Sequence, residues 1–598
     1  MKKYLHLVLI TLICSSALLT AQKAFPEWAK GIVWYQIFPE RFRNGDLSNE
    51  PTTDKVFKLS RTVPDNWRVT DWTSNWFEKD EWMDDENRSD IYLRRYGGDL
   101  QGIIDKLDYL KELGIEALYL NPVFDAVSLH KYDGSTFHHI DVNFGPEPVN
   151  DQRLIESENP DNSSSWVWTA ADSLFLNLIH EVHSRKMFII IDGVFNHTGT
   201  EFWAFNDIRE KGIESKYKDW YIVNEFDNPL TAEDEFDYKG WWGIKSLPEI
   251  NRSKTNLNEG PKNYIFESTK RWMDPNNDGD PSDGINGWRL DVAKEVPIGF
   301  WNEWSRLVKS INREAIIVGE LWELSPDYIG EDKPFDALMN YNFAFAVNNY
   351  LIAQKDKVDT QKFIDDLNIV LNTYSKDNLH LLQNLLDSHD TDRLSSMIVN
   401  PNRNYDRDAK EDNKNYSPAK PTEQDYELQK LIAAFQMTFL GAPMIYYGDE
   451  VGMWGADDPH CRKPMVWSDL IYDDEVIDES SKFKRGLGSY EVKANNDLLE
   501  FYKELIKLRN SSFALKFGEV SFSIYLADKK CFSFTRTYLD EKILICFNFE
   551  DDKMELELDG IEVDSLNPIF KMGEGKFSNH SLILYPQSFI VIKLDSLE

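Results

Sequence analysis

Between Gly31 and about Asn510 the chain repeats one pattern eight times, a short apolar run followed by a longer amphipathic segment. That alternation marks strands each followed by a helix in a parallel sheet. Eight copies favour an α/β fold whose sheet closes into a (β/α)8 TIM barrel ringed by helices. The predicted strands are Gly31–Phe38, Ala117–Phe124, Met187–Asp192, Gly287–Val292, Ala315–Glu320, Phe335–Asn340, His380–Asp387 and Pro443–Gly448. A predicted helix, Leu100–Leu113, carries Leu100, Ile103, Ile104, Leu107, Leu110 and Leu113 on one face, and Gly114 follows as its C-cap.

Three stretches break the repeat. Residues 47–96 hold Trp67, Trp72, Trp76 and Trp82 in a polar background and read as a long loop over a barrel end. Residues 198–260, rich in Trp, Tyr, Asp and Gly, read as an excursion domain after the third strand. From Ser512 onward, short alternating runs such as Val520–Tyr525, Cys531–Thr537 and Lys542–Phe549 predict a C-terminal antiparallel β-sandwich. The expected organisation is therefore a leader over 1–21, the barrel over 22–197 and 261–511, the excursion over 198–260 and the sandwich over 512–598.

In such a barrel, chemistry sits at the C-terminal ends of the strands. Four predicted strands end in acids, in IIIDGVFNH, GWRLD, IIVGE and LLQNLLDSHD. One acid after an apolar strand is ordinarily a cap or a solvated turn, but four in one barrel, beside His197, Arg289 and His389, form a constellation. Two carboxylates facing one bond are what glycoside hydrolysis needs, and Asp291 and Glu320 are the best pair. Arg289 lies two residues before Asp291, on the same strand face, and is expected to hold a neighbouring carboxylate ionised. Glu320 follows an apolar run and precedes Leu321 and Trp322, surroundings expected to keep it protonated.

These residues carry a resemblance to the alpha-amylase family of glycoside hydrolases, family 13. Its four segments read here as DGVFNH at 192–197, GWRLDVAKE at 287–295, GELW at 319–322 and DSHD at 387–390. The resemblance implies Asp291 as nucleophile, Glu320 as general acid/base and Asp390 as the group that grips the sugar hydroxyls in the transition state. It places His197, Arg289 and His389 around the reacting glucose, gives Asp192 a supporting role, and makes Tyr132 the ring on which the distorted sugar stacks. Three stretches, QIFPERFRNGD, WMDPNNDGDPSDGINGWRLDVA and DDPHCRKPMVW, are similar to the neopullulanase, cyclomaltodextrinase and maltogenic amylase group. Two features depart from that group. SLPEIN at 246–251 stands where it usually reads MPKLN, and the barrel begins soon after the predicted leader, so that the group's N-terminal dimerisation domain is not expected and a monomer is preferred.

Asn44, Asp46, Asn49 and Glu50, with Gly97 and Asp99 ahead of the first long helix, offer hard oxygen ligands. They resemble the group's calcium site, with Glu50 in place of an Asp, so Ca2+ is the expected cofactor. Asp274, Asn276, Asp278 and Asp280 alternate around Gly279 like the start of a second calcium loop that lacks its twelfth-position Glu. The calcium of conventional amylases uses a His soon after the nucleophile; here Lys294-Glu295 stands there, and that ion is not carried over.

Sugars present apolar faces edged by hydroxyls, so rings beside carboxylates suit a saccharide cleft. Trp203, Trp220, Trp241, Trp242 and Trp322 are candidates, with Trp241 and Trp242 best placed to overhang it. The leading expectation is hydrolysis of α-1,4-glucosidic bonds in maltooligosaccharides, cyclodextrins, pullulan or starch. The alternatives are transglycosylation by the same mechanism, with Trp322 and Glu323 near the acceptor, and a non-catalytic glucan-binding protein. The 66 Lys and Arg against 102 Asp and Glu give a net charge of −36, which argues against a nucleic-acid surface. Lys2, Lys3, the apolar Tyr4–Cys14 and the small residues up to Ala21 read as a secretory leader, too short to span a membrane, so an exported protein of the periplasm or medium is expected. Ile13 before Cys14 disfavours lipidation. Cys461, Cys531 and Cys546 have no metal-ligand spacing, and the last two either pair across neighbouring strands or simply pack.

Overall fold

The computed structural model describes residues 25–56, 64–83, 88–228, 230–231, 234–355, 357–405, 407–479, 481–558, 567–578 and 581–594; the leader over 1–21 lies outside them. All eight predicted runs overlap a barrel strand, two of which reach one residue beyond the run: β1 Trp34–Ile37, β2 Ala117–Leu120, β3 Phe188–Gly193, β4 Gly287–Leu290, β5 Ile316–Gly319, β6 Ala337–Leu338, β7 Gln383–Asn384 and β8 Ala442–Tyr446. Each pairs in parallel with the next, and β8 returns to β1 through Trp34 opposite Met444. A parallel bridge between Met339 and Gln383, with the Asn340 N–H donating to the Gln383 carbonyl at 2.8 Å, closes the ring between β6 and β7. The predicted seventh run is strand only in its middle, because His380 and Leu381 finish a helix, Lys376–Leu381, capped by the Ser375 hydroxyl.

Strand alternation sorts the barrel into two cores. Trp34, Ala117, Tyr119, Ile190, Ile316, Val318, Ala337, Ala442 and Met444 point inward and fill the lumen. Tyr35, Ile37, Leu118, Leu120, Ile189 and Ile191 point outward and pack beneath the helices. The predicted helix over 100–113 is two segments, Leu100–Asp105 and Leu107–Leu113, meeting at Lys106, where ψ of 4° departs from helix. Gly114 closes the second segment at φ 96°, and a Cβ there would lie 2.7 Å from Ile506 Cγ2, so both the backbone and the neighbour require glycine.

Residues 47–96 are more than a loop. Trp67 and Trp82 form a small core with Val56 and Leu93, while Trp76 stacks on Tyr96. After β3, helix Trp203–Lys211 and a short hairpin of Val223–Glu225 with Asp237–Tyr238 precede the next barrel helix, Glu259–Met273. A bridge from His197 to Glu249 stitches the SLPEIN segment onto the chain leaving β3, and one from Tyr221 to Ile250 ties it to the excursion.

Beyond the barrel, among the described residues, five antiparallel strands between Glu519 and Leu594 form one sheet and three form another. Phe532, Phe534 and Phe547 on the first sheet pack edge-on against Phe435 of a barrel helix, Glu423–Thr438. Cys531 and Cys546 lie on the other face, among Leu544, Leu556, Leu582 and Ile590, as free buried thiols. In register Cys531 opposes Asn548 and Cys546 opposes Ser533, so the two pack and do not pair.

Candidate active site

The same period of two carries the inward faces of β1, β3, β4 and β5 up to a polar rim at their C-terminal ends. There Gln36, Asp192, Arg289, Asp291 and Glu320 replace the apolar lumen. Arg289 is fully buried at its centre. Its Nη1 donates to both Asp192 oxygens, at 2.9 and 3.0 Å, and to Asp291 Oδ1 at 3.0 Å, while Nη2 lies 3.2 Å from Glu320 Oε2. Glu320 also accepts the Val292 N–H at 2.8 Å and the Trp322 indole N–H at 3.1 Å. Val292 sits in the left-handed region at φ 39°, ψ 46°, rare for a β-branched residue. Such strain costs about 1–3 kcal/mol and concentrates at functional sites; here it accompanies the turn of the Val292 amide toward Glu320.

At Asp291, burial and the Arg289 charge work against each other. Burial, and then the Glu320 carboxylate, push its carboxyl well above the usual carboxylate range, with Arg289 opposing. One guanidinium faces Asp192, Asp291 and Glu320 together, and at Asp291 it favours the ionised form against burial and the Glu320 charge. Asp192 is likewise raised by burial against Arg289. It also accepts the hydroxyls of Tyr119 at 2.7 Å and Tyr132 at 2.9 Å, which commits its oxygens to the protein.

A second network runs from Tyr132 to Asp390. The Tyr132 and His389 rings are parallel, 5.4 Å apart with 5° between planes. Gln36 donates to His389 Nδ1 at 2.9 Å, which leaves the Nε2–H to donate to the Tyr132 hydroxyl at 2.6 Å. Burial, and then Arg462 and Arg289, depress the His389 pKa well below its ordinary value, so the ring is neutral. Asp390 lies 3.2 Å from His389 Nε2 and accepts Arg462 Nη2 at 3.1 Å, while Arg462 Nε donates to the His389 carbonyl at 2.7 Å.

On the excursion side, His197 stacks on Trp241 at 5.0 Å and Trp241 on Trp242 at 4.7 Å. Trp242 is 77 % exposed and His197 is 1 % exposed, so the three rings descend from solvent to the rim. Burial, and then Arg252, lower the His197 pKa to about 3. Trp203 and Trp220 instead pack on each other at 5.1 Å and on Tyr264, in the base of the excursion. Trp322 lies flat on Tyr341 at 3.8 Å.

Residues 36–157 and 170–518 match the alpha-amylase catalytic domain. The chain belongs to the alpha-amylase family. Neopullulanase 2 of Thermoactinomyces vulgaris is 35 % identical over 535 residues, spanning 89 % of this chain and 72 % of that protein. The cyclomaltodextrinase of Thermoanaerobacter pseudethanolicus is 32 % identical over 576 residues, spanning 95 % of this chain and 78 % of that protein. Among solved structures, the cyclic alpha-maltosyl-(1→6)-maltose hydrolase of Arthrobacter globiformis superposes with a TM-score of 0.69 at 26 % identity, covering 95 % of this chain and all of that one. The type III pullulan hydrolase of Thermococcus kodakarensis gives 0.70 at 25 % identity, covering 96 % and 83 %. The chain is thus a glycoside hydrolase of the alpha-amylase family.

Around this alpha-amylase rim, sequence reasoning missed Gln36, Tyr119 and Arg462. The first two carried a signal, being polar-tipped side chains on the inner faces of β1 and β2. Arg462 carried none, since it arrives from beyond β8.

The oxygen-rich clusters lie away from the rim. Asp99 caps helix Leu100–Asp105 by accepting the Gly102 N–H at 2.7 Å, and also accepts Gly45 N–H, Asp46 N–H and Asn49 Nδ2. Asn44 Oδ1 and Asn49 Oδ1 are buried without a hydrogen-bond partner. Gly97, at φ 73°, lets the chain pass where a Cβ would lie 2.5 Å from Asn44 Nδ2. In the second cluster, Asp274, Asn276, Asp278 and Asp280 each accept backbone amides of their own turn, around Gly279 at φ 85°.

Proposed function

We propose that the chain hydrolyses α-1,4-glucosidic bonds in starch-derived glucans with retention of anomeric configuration. The observation that carries this reading is one guanidinium, Arg289, touching both Asp291 and Glu320 from adjacent strands. Asp291 Oδ attacks the anomeric carbon as Glu320 gives its proton to the departing glycosidic oxygen, leaving a glucosyl ester on Asp291. Glu320, now a carboxylate, takes a proton from water, whose oxygen displaces Asp291 from the sugar. Asp390, held by Arg462, receives the sugar hydroxyls, and the Tyr132–His389 pair supplies the flat wall of that subsite. Trp241 and Trp242 continue the wall toward solvent, and the names of the neopullulanase and cyclomaltodextrinase relatives support cyclodextrins and pullulan as substrates beside linear glucans. The test is a product time course on maltoheptaose, β-cyclodextrin, pullulan and soluble starch, with Asp291→Asn as blank and NMR of the first anomer released. Retained α-anomer that vanishes in the blank is expected. Inversion, or turnover of none of these glucans, overturns the reading, and products longer than the substrate assign transfer.

Ca2+ is proposed to be held by Asn44, Asp46, Asn49, Glu50, Gly97 and Asp99. The support is the pair of buried unpartnered carbonyl oxygens on Asn44 and Asn49, together with hard donors converging from two segments. When bound, the ion would tie the segment after β1 to the start of helix Leu100–Asp105. Calcium titration by calorimetry checks it: one site lost in Asn49→Ala is expected, and a second site would assign the 274–280 turn. Export is proposed from the leader, and N-terminal sequencing of the mature protein should begin at Gln22.

A further inference from the structure

Away from the rim, His138 and His139 follow the loop that carries Tyr132, and both are fully buried. With Glu158 they are the one group of three His, Cys, Asp or Glu among the described residues whose ligand atoms all lie within 4.8 Å of one another. Glu158 Oε1 is 2.6 Å from His138 Nε2 and 3.1 Å from His139 Nε2. The far atom of every donor is already oriented. His139 Nδ1 meets Asp172 Oδ2 at 2.8 Å, and Asp172 is fixed by Arg271 at 3.1 Å and by the Ile140 N–H at 2.8 Å. His138 Nδ1 meets the Tyr264 hydroxyl at 2.6 Å and Thr136 Oγ1 at 2.8 Å, and its ring lies flat on Trp166 at 4.0 Å. Glu158 Oε2 accepts the Val167 N–H at 3.0 Å. Beside the cluster, a cavity of about 330 Å3 is lined by His138 and Glu158 with Asp125, Asp141, Glu156 and Glu201.

We propose that His138, His139 and Glu158 bind one zinc ion, with water from the adjoining cavity as fourth ligand. Two imidazoles and one carboxylate suit zinc, and a carboxylate on the far nitrogen of a histidine is the usual outer shell of such a site. Zinc–ligand bonds of about 2.0–2.2 Å put tetrahedral neighbours roughly 3.3 Å apart. The present contacts of 2.6 and 3.1 Å therefore open by less than about 1 Å. His138 keeps its proton by moving it from Nε2 to Nδ1, where the Tyr264 and Thr136 oxygens accept it. His139 keeps Nδ1–H toward Asp172 and gives up its Nε2 proton to water as the metal binds there. The ion would clamp the base of the loop over 124–140, which bridges Phe124 to Ile140 and carries Tyr132 at its turn. It is a positioning site, since nothing in it faces the Asp291–Glu320 pair.

The test uses chelator-treated full-length protein with calcium in excess, titrated with Co2+ alone and then Zn2+. The expected result is one equivalent of Co2+ with the visible ligand-field bands of a four-coordinate site, displaced by Zn2+. His139→Gln should abolish the bands, and Asp172→Asn, which keeps the metal ligands, should weaken zinc by about 10–100-fold. Folded wild-type protein that gives no such bands overturns the proposal whatever the variants do. Wild-type zinc affinity in folded His139→Gln or Glu158→Gln overturns it equally, and leaves a metal-free His–carboxylate network.

Discussion

Replacing Arg289 by lysine keeps the buried positive charge and removes the fork that distributes it. Nη1 serves Asp192 and Asp291 while Nη2 faces Glu320, and a single ammonium cannot cover both sides. Losing one charge-assisted hydrogen bond to Asp291 costs about 1.5–3 kcal/mol. That cost falls on the ionised form, so it raises further a carboxyl already pushed up by burial and by Glu320. A nucleophile must be ionised in the free enzyme, so kcat/KM is lost as pH falls through its pKa, and a higher pKa moves that limb toward neutrality. Arg289→Lys should therefore lose about 10–100-fold in kcat/KM on the acidic side and recover toward wild type as pH rises. The assay is kcat/KM for maltoheptaose across pH, with circular dichroism to confirm folding. A deficit of equal size at every pH, or an acid limb that stays in place, would refute the argument that Arg289 acts through the ionisation of Asp291.

Trp241→Ala removes the middle ring between His197 and Trp242; stacked aromatic contacts are worth about 0.5–1.5 kcal/mol beyond their area, so KM for oligosaccharides should rise several-fold, more than kcat falls, in steady-state kinetics. Burial alone would raise Glu411, but hydrogen bonds from His460 and Lys482 more than offset it and hold the carboxyl down at about 2. A depressed acid contributes stability that is present above its unfolded pKa and lost as pH falls toward the folded one, so chemical denaturation of Glu411→Gln should show its deficit above about pH 4.5 and converge with wild type near pH 2. Gly114→Ala meets both a left-handed backbone and Ile506 Cγ2, and a loss above about 1 kcal/mol is expected in the same assay. An unchanged midpoint would mean that the C-cap relaxes freely.

What was legible in the chain and what was not divides along a physical line. Period and composition are local, so the eight strands, the acids at their ends and the Gly114 cap could be read before any contact was known. Break points that depend on packing were not. The helix over 100–113 parts at Lys106, whose N–H reaches back to Ile103 and Ile104, and no residue there is a helix breaker. The four acidic strand ends were visible one at a time, but the sharing of one guanidinium among three of their carboxylates is a property of three adjacent strands. The charge of Arg289 was legible on the strand, but the burial and the Glu320 carboxylate that oppose it at Asp291 were not, because both depend on neighbouring strands. Arg462 makes the same point from the other side. It approaches Asp390 and the His389 carbonyl across 72 and 73 residues of chain, from the loop after β8, and the direct pairing of β8 with β7 sets those two strand ends side by side. The rim is ordered across that seam, since Asp390 after β7 is held by a residue that follows β8, and neither residue marks the other in the sequence.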